Sequence, residues 1–301
     1  MISRKGLLAL ALLIFAPSLL AAPPAPSQAD VAYGPHERNR LDFWQAEAEG
    51  PRPLLVYIHG GGWTQGDKSK NLPEIGYYLE KGISVAAINY RYSTQAPLPA
   101  PVHDAARAIQ FLKTKADEWK LDPERFVLTG GSAGACTSMW ILLHDDLADP
   151  TASDPVARAS SRVAGAAVYI GQTSIDPKQS REWLGDKVLE HRMINLAVGE
   201  KTMADCLKNY ARHEATFREF SPYTHLDAAD PPLLMFYFGS DALPSKNGGH
   251  GIHHPEYGRQ LQKKARQLDH DTRFELLKKR PAKVFELIRP FVLETLLDEK
   301  P

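Results

Sequence analysis

Buried strands and amphipathic helices alternate along most of the chain. Continuous apolar runs bounded by turn residues predict strands that are covered on both faces. The predicted strands are 41–44, 53–59, 83–90, 125–128, 163–170, 232–239 and 272–278. Helical spacing of apolar residues predicts helices over 102–120, directly after residue 132, and over 254–268 and 282–297. This alternation is typical of an α/β fold, a mostly parallel doubly wound sheet with helices on both sides.

One stretch, residues 173–225, does not follow this alternation. It is polar, has helical spacing from Ile194 to Phe220, and separates two predicted strands. Ligands of parallel sheets bind outside the carboxyl ends of the strands. We therefore interpret the stretch as a small helical cap over such a site; the alternative is a surface excursion without a role.

A Gly-x-Ser-x-Gly sequence, residues 130–134, lies where a predicted strand turns into a predicted helix. Small neighbours allow the sharp turn that exposes the Ser132 hydroxyl at the carboxyl edge of the sheet and at a helix N-terminus. The sequence by itself is also compatible with a glycine-rich turn. The flanking strand and helix favour Ser132 as a nucleophile.

A second glycine-rich segment, His-Gly-Gly-Gly-Trp at residues 59–63, ends an apolar strand. Glycines allow backbone N–H groups to turn toward an incoming oxygen. Those of Gly61 and Gly62, with that of Ala133, would stabilise a developing oxyanion. A phosphate loop is the alternative, but Asp67 stands where such a loop requires lysine.

These two segments and Gly-Ser-Asp at residues 239–241 occur in the order and spacing of the α/β-hydrolase superfamily. Over roughly residues 33–298 the chain resembles its HGGGW-type esterases, the secreted feruloyl-esterase-like and carboxylesterase-like branch. The resemblance implies that Ser132 is the nucleophile and Asp241 the acid of a catalytic triad. It implies a loop-holding role for His59. The oxyanion hole that it implies consists of Gly61, Gly62 and Ala133.

The catalytic histidine departs from the family pattern, which places it after the last strand. No histidine follows His270, which precedes that strand and is therefore roughly 20 Å from the carboxyl edge. The candidates are His250, His253 and His254, in the loop after Asp241. His254, restrained by the proline that follows it, is the preferred base. His253 and His250 remain alternatives, as do a packing role or an adventitious metal site.

The N-terminus predicts a secretory signal peptide over residues 1–22, and hence a secreted or periplasmic protein. Two basic residues precede an apolar run and a stretch of small residues. A membrane anchor is the alternative, but the run is shorter than the roughly 20 residues that a span requires. Residues 23–32 are expected to be a disordered lead-in to a hydrolase domain at 33–298. Cys136 and Cys206 are expected to be free and buried.

The charge balance of the sequence bears on the partners that the protein could bind. Lys and Arg number 36, as do Asp and Glu, so neither nucleic acid nor a membrane surface is expected as a partner. No metal or organic cofactor is expected. The expected activity is serine-esterase hydrolysis of a small-molecule carboxylic ester through an acyl-enzyme. The alternatives are an aryl-amide or peptide hydrolase on the same residues and a binding protein that has lost its base.

Overall fold

An eight-stranded sheet organises residues 23–298, the part of the chain that the computed structural model describes. Its strands lie in the order β1-β2-β4-β3-β5-β6-β7-β8. β1 and β2 are antiparallel to their neighbours, and the other pairings are parallel, which confirms the predicted fold class. The strands are β1 (Gln28–Ala32), β2 (Arg40–Trp44), β3 (Arg52–Ile58), β4 (Ser84–Ile88), β5 (Leu121–Gly131), β6 (Gly165–Tyr169), β7 (Leu233–Phe238) and β8 (Thr272–Leu277).

Helices cover both faces of the sheet. Alternate residues of each central strand therefore pack into two different hydrophobic cores, one on each side of the sheet. Leu54 and Val56 of β3 belong to one core, and Leu55 and Tyr57 belong to the other. The helices are α1 (Ile75–Glu80), α2 (Ala100–Thr114), α3 (Ala116–Trp119), α4 (Ala133–Leu143), α5 (Pro177–Leu184), α6 (Met193–Ala197), α7 (Met203–Lys208), α8 (Tyr210–Glu219), α9 (Pro222–His225), α10 (Gly248–Ile252), α11 (Glu256–Leu268) and α12 (Arg289–Leu297), with 3₁₀ turns at Asp186–Glu190 and Val284–Glu286.

The lead-in differs from its prediction, because residues 28–32 form the edge strand β1 instead of a disordered segment. β1 pairs with β2, with Gln28 opposite Phe43 and Ala32 opposite Arg40. The indole of Trp44 also donates a hydrogen bond to the carbonyl oxygen of Pro24, 2.7 Å away. The backbone of β2 therefore orders a segment whose own side chains are mostly exposed, and such a strand leaves no apolar pattern in the sequence.

Two predicted helices are interrupted. The helix expected over 102–120 divides at Lys115 into α2 and α3, and the one expected over 282–297 becomes a 3₁₀ turn followed by α12. Pro290 lies in the first turn of α12. Backbone N–H groups there have no hydrogen-bond partner within the helix, so a proline at this position removes no helical hydrogen bond.

The predicted signal peptide at residues 1–22 lies outside the described residues. Within residues 23–298, no helix has both the length and the apolar character that a bilayer span requires. Cys136 and Cys206 are free and buried, as predicted.

Candidate active site

A strained turn places Ser132 at the carboxyl edge of the sheet. β5 ends at Gly131 and α4 begins at Ala133, so Ser132 bridges strand and helix with φ 55° and ψ −123°. A non-glycine residue at such a φ is uncommon and costs free energy that the surrounding fold must offset. A Cβ on Gly130 or on Gly134 would overlap the carbonyl oxygen of Ile58. The two motif glycines are therefore required by the close approach of β3.

The imidazole of His253 lies next to the serine hydroxyl. Ser132 Oγ and His253 Nε2 are 2.9 Å apart. The other ring nitrogen, Nδ1, is 3.1 Å from the carbonyl oxygen of Gly249. A carbonyl only accepts hydrogen bonds, so Nδ1 carries the proton and Nε2 presents its lone pair to the hydroxyl. This tautomer is the one that a general base for Ser132 requires.

The position of His253 is set by α10. The side chain of Asn247 caps this helix by accepting a hydrogen bond from the backbone N–H of His250, 2.9 Å away. His253 follows the last residue of the helix, and its ring turns back to the Gly249 carbonyl four residues earlier. The cap residue Asn247 is a sequence signal for this short helix, but three of its five residues are glycines, which weaken a helix prediction.

His254 and His250 are placed elsewhere. The ring of His254, the base preferred from the sequence, is fully buried and lies 3.3 Å from the carbonyl oxygen of Ala242 through Nε2. Its Nδ1 accepts a hydrogen bond from the backbone N–H of Glu256. His250 Nε2 is 2.9 Å from the carbonyl oxygen of Ser240. Both rings therefore contact backbone carbonyls of the loop after β7, and neither is hydrogen-bonded to Ser132.

Asp241 also differs from its expected position. Its half-exposed carboxylate forms an ion pair with Arg259 of α11, with Oδ2 and Nη2 2.5 Å apart. Within residues 23–298, the hydrogen-bond partners of the His253 ring are Ser132 and Gly249, and neither supplies a carboxylate. A backbone carbonyl therefore occupies the place where a triad acid is expected. The sequence gives no signal for this partner, because every residue has a backbone carbonyl and the fold alone determines which one faces the ring.

The environment of His253 favours the neutral ring. Burial lowers the pKa of His253, and the Gly249 carbonyl opposes that shift by accepting from the ring. Nearby His191 and the Arg280 guanidinium lower the pKa further. The imidazole is therefore an unprotonated acceptor at neutral pH.

The residues expected to form the oxyanion hole adjoin Ser132. Gly61 and Gly62 have φ values of 107° and 61°, which glycine tolerates and other residues rarely adopt. The backbone N–H of Ala133 lies in the first turn of α4, where N–H groups have no helical partner. These three positions are the ones that sequence reasoning proposed.

His59 holds this glycine loop. Its ring stacks on Tyr90 at 4.2 Å between centroids, and Nδ1 is 2.7 Å from the carbonyl oxygen of Gly60. Arg38 donates toward Nε2 from 3.4 Å. Burial lowers the pKa of His59 to about 4, so the ring remains neutral while it supports the loop.

Two cavities meet at Ser132. One, of about 550 Å³, contains His253 and residues 190–193 and Leu196 of the inserted stretch. The other, of about 410 Å³, extends past Tyr57 and Tyr169 to Arg280. Ser132, Gly61 and Gln65 line both. Residues of the inserted stretch thus line the cavity that contains Ser132.

Residues 41–247 match the model of the family described as BD-FAE, which is more than half of the chain. The chain belongs to the BD-FAE family. The BD-FAE match contains Ser132 and the glycine loop and ends before His253.

Curated relatives carry ester-hydrolase names. The chain is 30% identical to "Probable carboxylic ester hydrolase LipM" of Mycobacterium tuberculosis over 71% of its own length and 48% of that protein. It is 28% identical to "Probable isoprenylcysteine alpha-carbonyl methylesterase ICMEL1" of Arabidopsis thaliana over 71% of its own length and 44% of that protein. The chain therefore spans about half the length of the curated relatives it matches.

Solved structures share the fold over most of the chain. A "truncated form of carbohydrate esterase from gut microbiota" superposes with a TM-score of 0.72 at 18% identity, covering 92% of this chain and 100% of that one. The esterase Est2 of Thermogutta terrifontis superposes with a TM-score of 0.66 at 21% identity, covering 91% of this chain and 95% of that one. These likenesses support the α/β-hydrolase architecture of this BD-FAE protein.

Proposed function

We propose that this BD-FAE protein is a serine esterase that hydrolyses small-molecule carboxylic esters through an acyl-enzyme. The observation that carries the proposal is the 2.9 Å hydrogen-bond distance between Ser132 Oγ and His253 Nε2 at a strained turn. A serine hydroxyl is a weak nucleophile unless a base takes its proton. The ester-hydrolase names of curated relatives that are similar in sequence support the same reaction.

The proposed reaction proceeds in two halves. Ser132 Oγ attacks the ester carbonyl carbon while its proton moves to His253 Nε2, and the carbonyl electrons move to oxygen. Backbone N–H groups of Gly61, Gly62 and Ala133 stabilise that oxyanion. The intermediate collapses as His253 gives its proton to the leaving alcohol. A water molecule, deprotonated by His253, then attacks the acyl-enzyme and releases the acid and free Ser132.

The Gly249 carbonyl orients the base in this proposal. It holds the proton on Nδ1 and partly stabilises the imidazolium that forms after proton transfer. A hydrogen bond to a neutral acceptor is weaker than one to a carboxylate. We therefore expect a working dyad with a modest turnover rate compared with an enzyme that has a complete triad.

The two cavities provide space for the two halves of an ester. Since both share Ser132, an ester carbonyl bound at the serine would direct its acyl group into one cavity and its alcohol group into the other. The lining of the 550 Å³ cavity by Met193 and Leu196 favours an apolar group there. The insertion then acts as a cap that contributes to substrate choice.

The test is covalent labelling and ester hydrolysis by matched variants. We expect a fluorophosphonate probe to label the native chain and not Ser132→Ala, and His253→Ala to lose labelling and p-nitrophenyl ester hydrolysis by about 10³-fold or more. His36→Ala, which changes a histidine outside the site, is the control. A chain that folds normally but is not labelled would indicate a binding protein on a hydrolase fold.

The same variants test the alternative bases and the bond that is cleaved. If His254→Gln abolished labelling while His253→Ala did not, the assigned base would be wrong. Faster cleavage of a chromogenic anilide than of the matched ester would indicate an amide hydrolase. We further propose export of the protein by residues 1–22, which N-terminal sequencing of the mature chain would check.

A further inference from the structure

A group of metal-ligating side chains lies far from Ser132. His144 follows the last residue of α4, Glu219 ends α8, and His225 ends α9. One ligand atom from each of the three lies within 4.8 Å of the others. α4 begins beside Ser132, so its length of about 16 Å separates this group from the nucleophile. The ester reaction uses none of the three.

The rings are oriented as metal-binding histidines are. His144 Nδ1 is 2.8 Å from the carbonyl oxygen of Asp145, and its Nε2 is 3.1 Å from Glu219 Oε1. Both neighbours are hydrogen-bond acceptors, whereas a neutral imidazole has only one N–H to donate. One of these two contacts therefore lacks a donor on a neutral ring, and a metal ion between Nε2 and the carboxylate would supply the missing partner.

His225 has the complementary orientation. Its Nε2 is 2.5 Å from the backbone carbonyl oxygen of Glu219, so Nε2 carries the proton and Nδ1 keeps its lone pair. A ligating histidine usually donates its other N–H to a carbonyl or a carboxylate, and that bond fixes the tautomer. Both histidines of the group make such a bond to a backbone carbonyl.

The surrounding residues hold the group in place. The Trp140 indole donates to the Glu219 carbonyl oxygen from 2.8 Å, and its ring lies 4.3 Å from that of His144 and 5.3 Å from that of Phe220. The three ligands themselves are half-buried. They are accessible to an ion in solution while their backbones are fixed by buried neighbours.

We propose that His144, Glu219 and His225 form a binding site for Zn²⁺ or a similar divalent transition-metal ion. Two imidazoles and one carboxylate are a donor set that zinc accepts, with solvent as the fourth ligand. Zinc–ligand distances near 2.1 Å require ligand atoms about 3.4 Å apart, so the group must contract by rotation of half-exposed side chains. The bound ion joins the end of α4 to α8 and α9 of the insertion.

Metal titration of the chain purified without a polyhistidine tag tests the site. We expect calorimetry to find one Zn²⁺ bound per chain, with affinity reduced at least tenfold in His144→Ala, His225→Ala and Glu219→Gln. His36→Ala is the matched control and should bind like the native chain. Glu219→Gln keeps the side-chain shape and the backbone carbonyl, so a loss in this variant reports the carboxylate itself.

A second measurement reports geometry without relying on affinity. Co²⁺ in a site with few ligands gives strong visible absorption bands, which we expect in the native chain and not in the His144→Ala His225→Ala double variant. Zn²⁺ should also raise the melting temperature of the native chain, and raise that of Glu219→Gln less at the same Zn²⁺ concentration. Equal binding by native, double-variant and His36→Ala chains, or a loss confined to His253→Ala, would overturn the proposal.

Discussion

The role of Asp241 gives the sharpest test of the proposed mechanism. The family pattern assigns this residue as the triad acid, whereas the structure pairs it with Arg259 and gives His253 the Gly249 carbonyl instead. If the structural arrangement is the one that reacts, Asp241→Asn removes no contact to the base. We therefore expect the variant to retain its esterase activity.

The expected size of the effect separates the two arrangements. Replacing the aspartate of a complete triad by asparagine lowers kcat about 10⁴-fold, because the imidazole loses both its orientation and its charge stabilisation. Asp241 is half-exposed and its ion pair with Arg259 is solvated. Such pairs contribute little to the fold or to the charge of a distant ring, so we expect kcat/KM to change less than about fivefold.

Initial rates on a p-nitrophenyl ester across a range of concentrations would give kcat and KM separately. Arg259→Gln is the matched control, since it removes the same ion pair from the other side. His253→Ala sets the scale of a true loss. A fall of 10³-fold or more in Asp241→Asn, with Arg259→Gln unaffected, would refute our reasoning and indicate that the loop after β7 rearranges to bring the carboxylate to the base.

Further predictions concern pH and packing. Burial and the Arg280 guanidinium lower the pKa of His253, so the acid limb of the kcat/KM profile should lie below about pH 6.5. In Arg280→Gln the pKa of His253 should rise, and a pH–rate profile should show the acid limb at higher pH. The buried His59, with its pKa lowered to about 4, should make the native chain lose up to about 3 kcal/mol of stability as pH falls from 6.5 toward 4; urea unfolding of His59→Gln should show a flatter dependence. Gly134→Ala places a Cβ against the Ile58 carbonyl oxygen and should cost about 1–3 kcal/mol, seen as a lower melting temperature, and unchanged stability would contradict this packing.

The sheet was predictable because its signal is local. Each central strand is buried on both faces, so residues such as those of β3 and β7 form unbroken apolar runs. Ser132 was predictable for a similar reason: the strand, the turn glycines and the helix are consecutive in sequence. The edge strand β1 was not predictable, since it depends on hydrogen bonds from β2 and exposes its side chains.

The choice among the three histidines required the tertiary structure. His250, His253 and His254 lie within five positions, and which ring reaches Ser132 depends on the direction in which each leaves α10 and the turn into α11. A helix rotates successive side chains by about 100°, so a change of one residue points a ring to a different face. The preference for His254 over His253 rested on the proline that follows His254. That proline restrains the backbone but does not determine the direction of the side chain.

The position of the base has a chemical consequence for this family member. The loop after β8 contains Arg280 where the family pattern places its histidine, and this cation lines the cavity at Ser132 while lowering the pKa of His253. A carbonyl partner stabilises an imidazolium less than a carboxylate does, and a nearby cation opposes its formation. Both effects make His253 a weaker base, but one that stays unprotonated in mildly acidic solution. For the proposed esterase reaction, this arrangement predicts a low turnover rate and activity that persists at acidic pH.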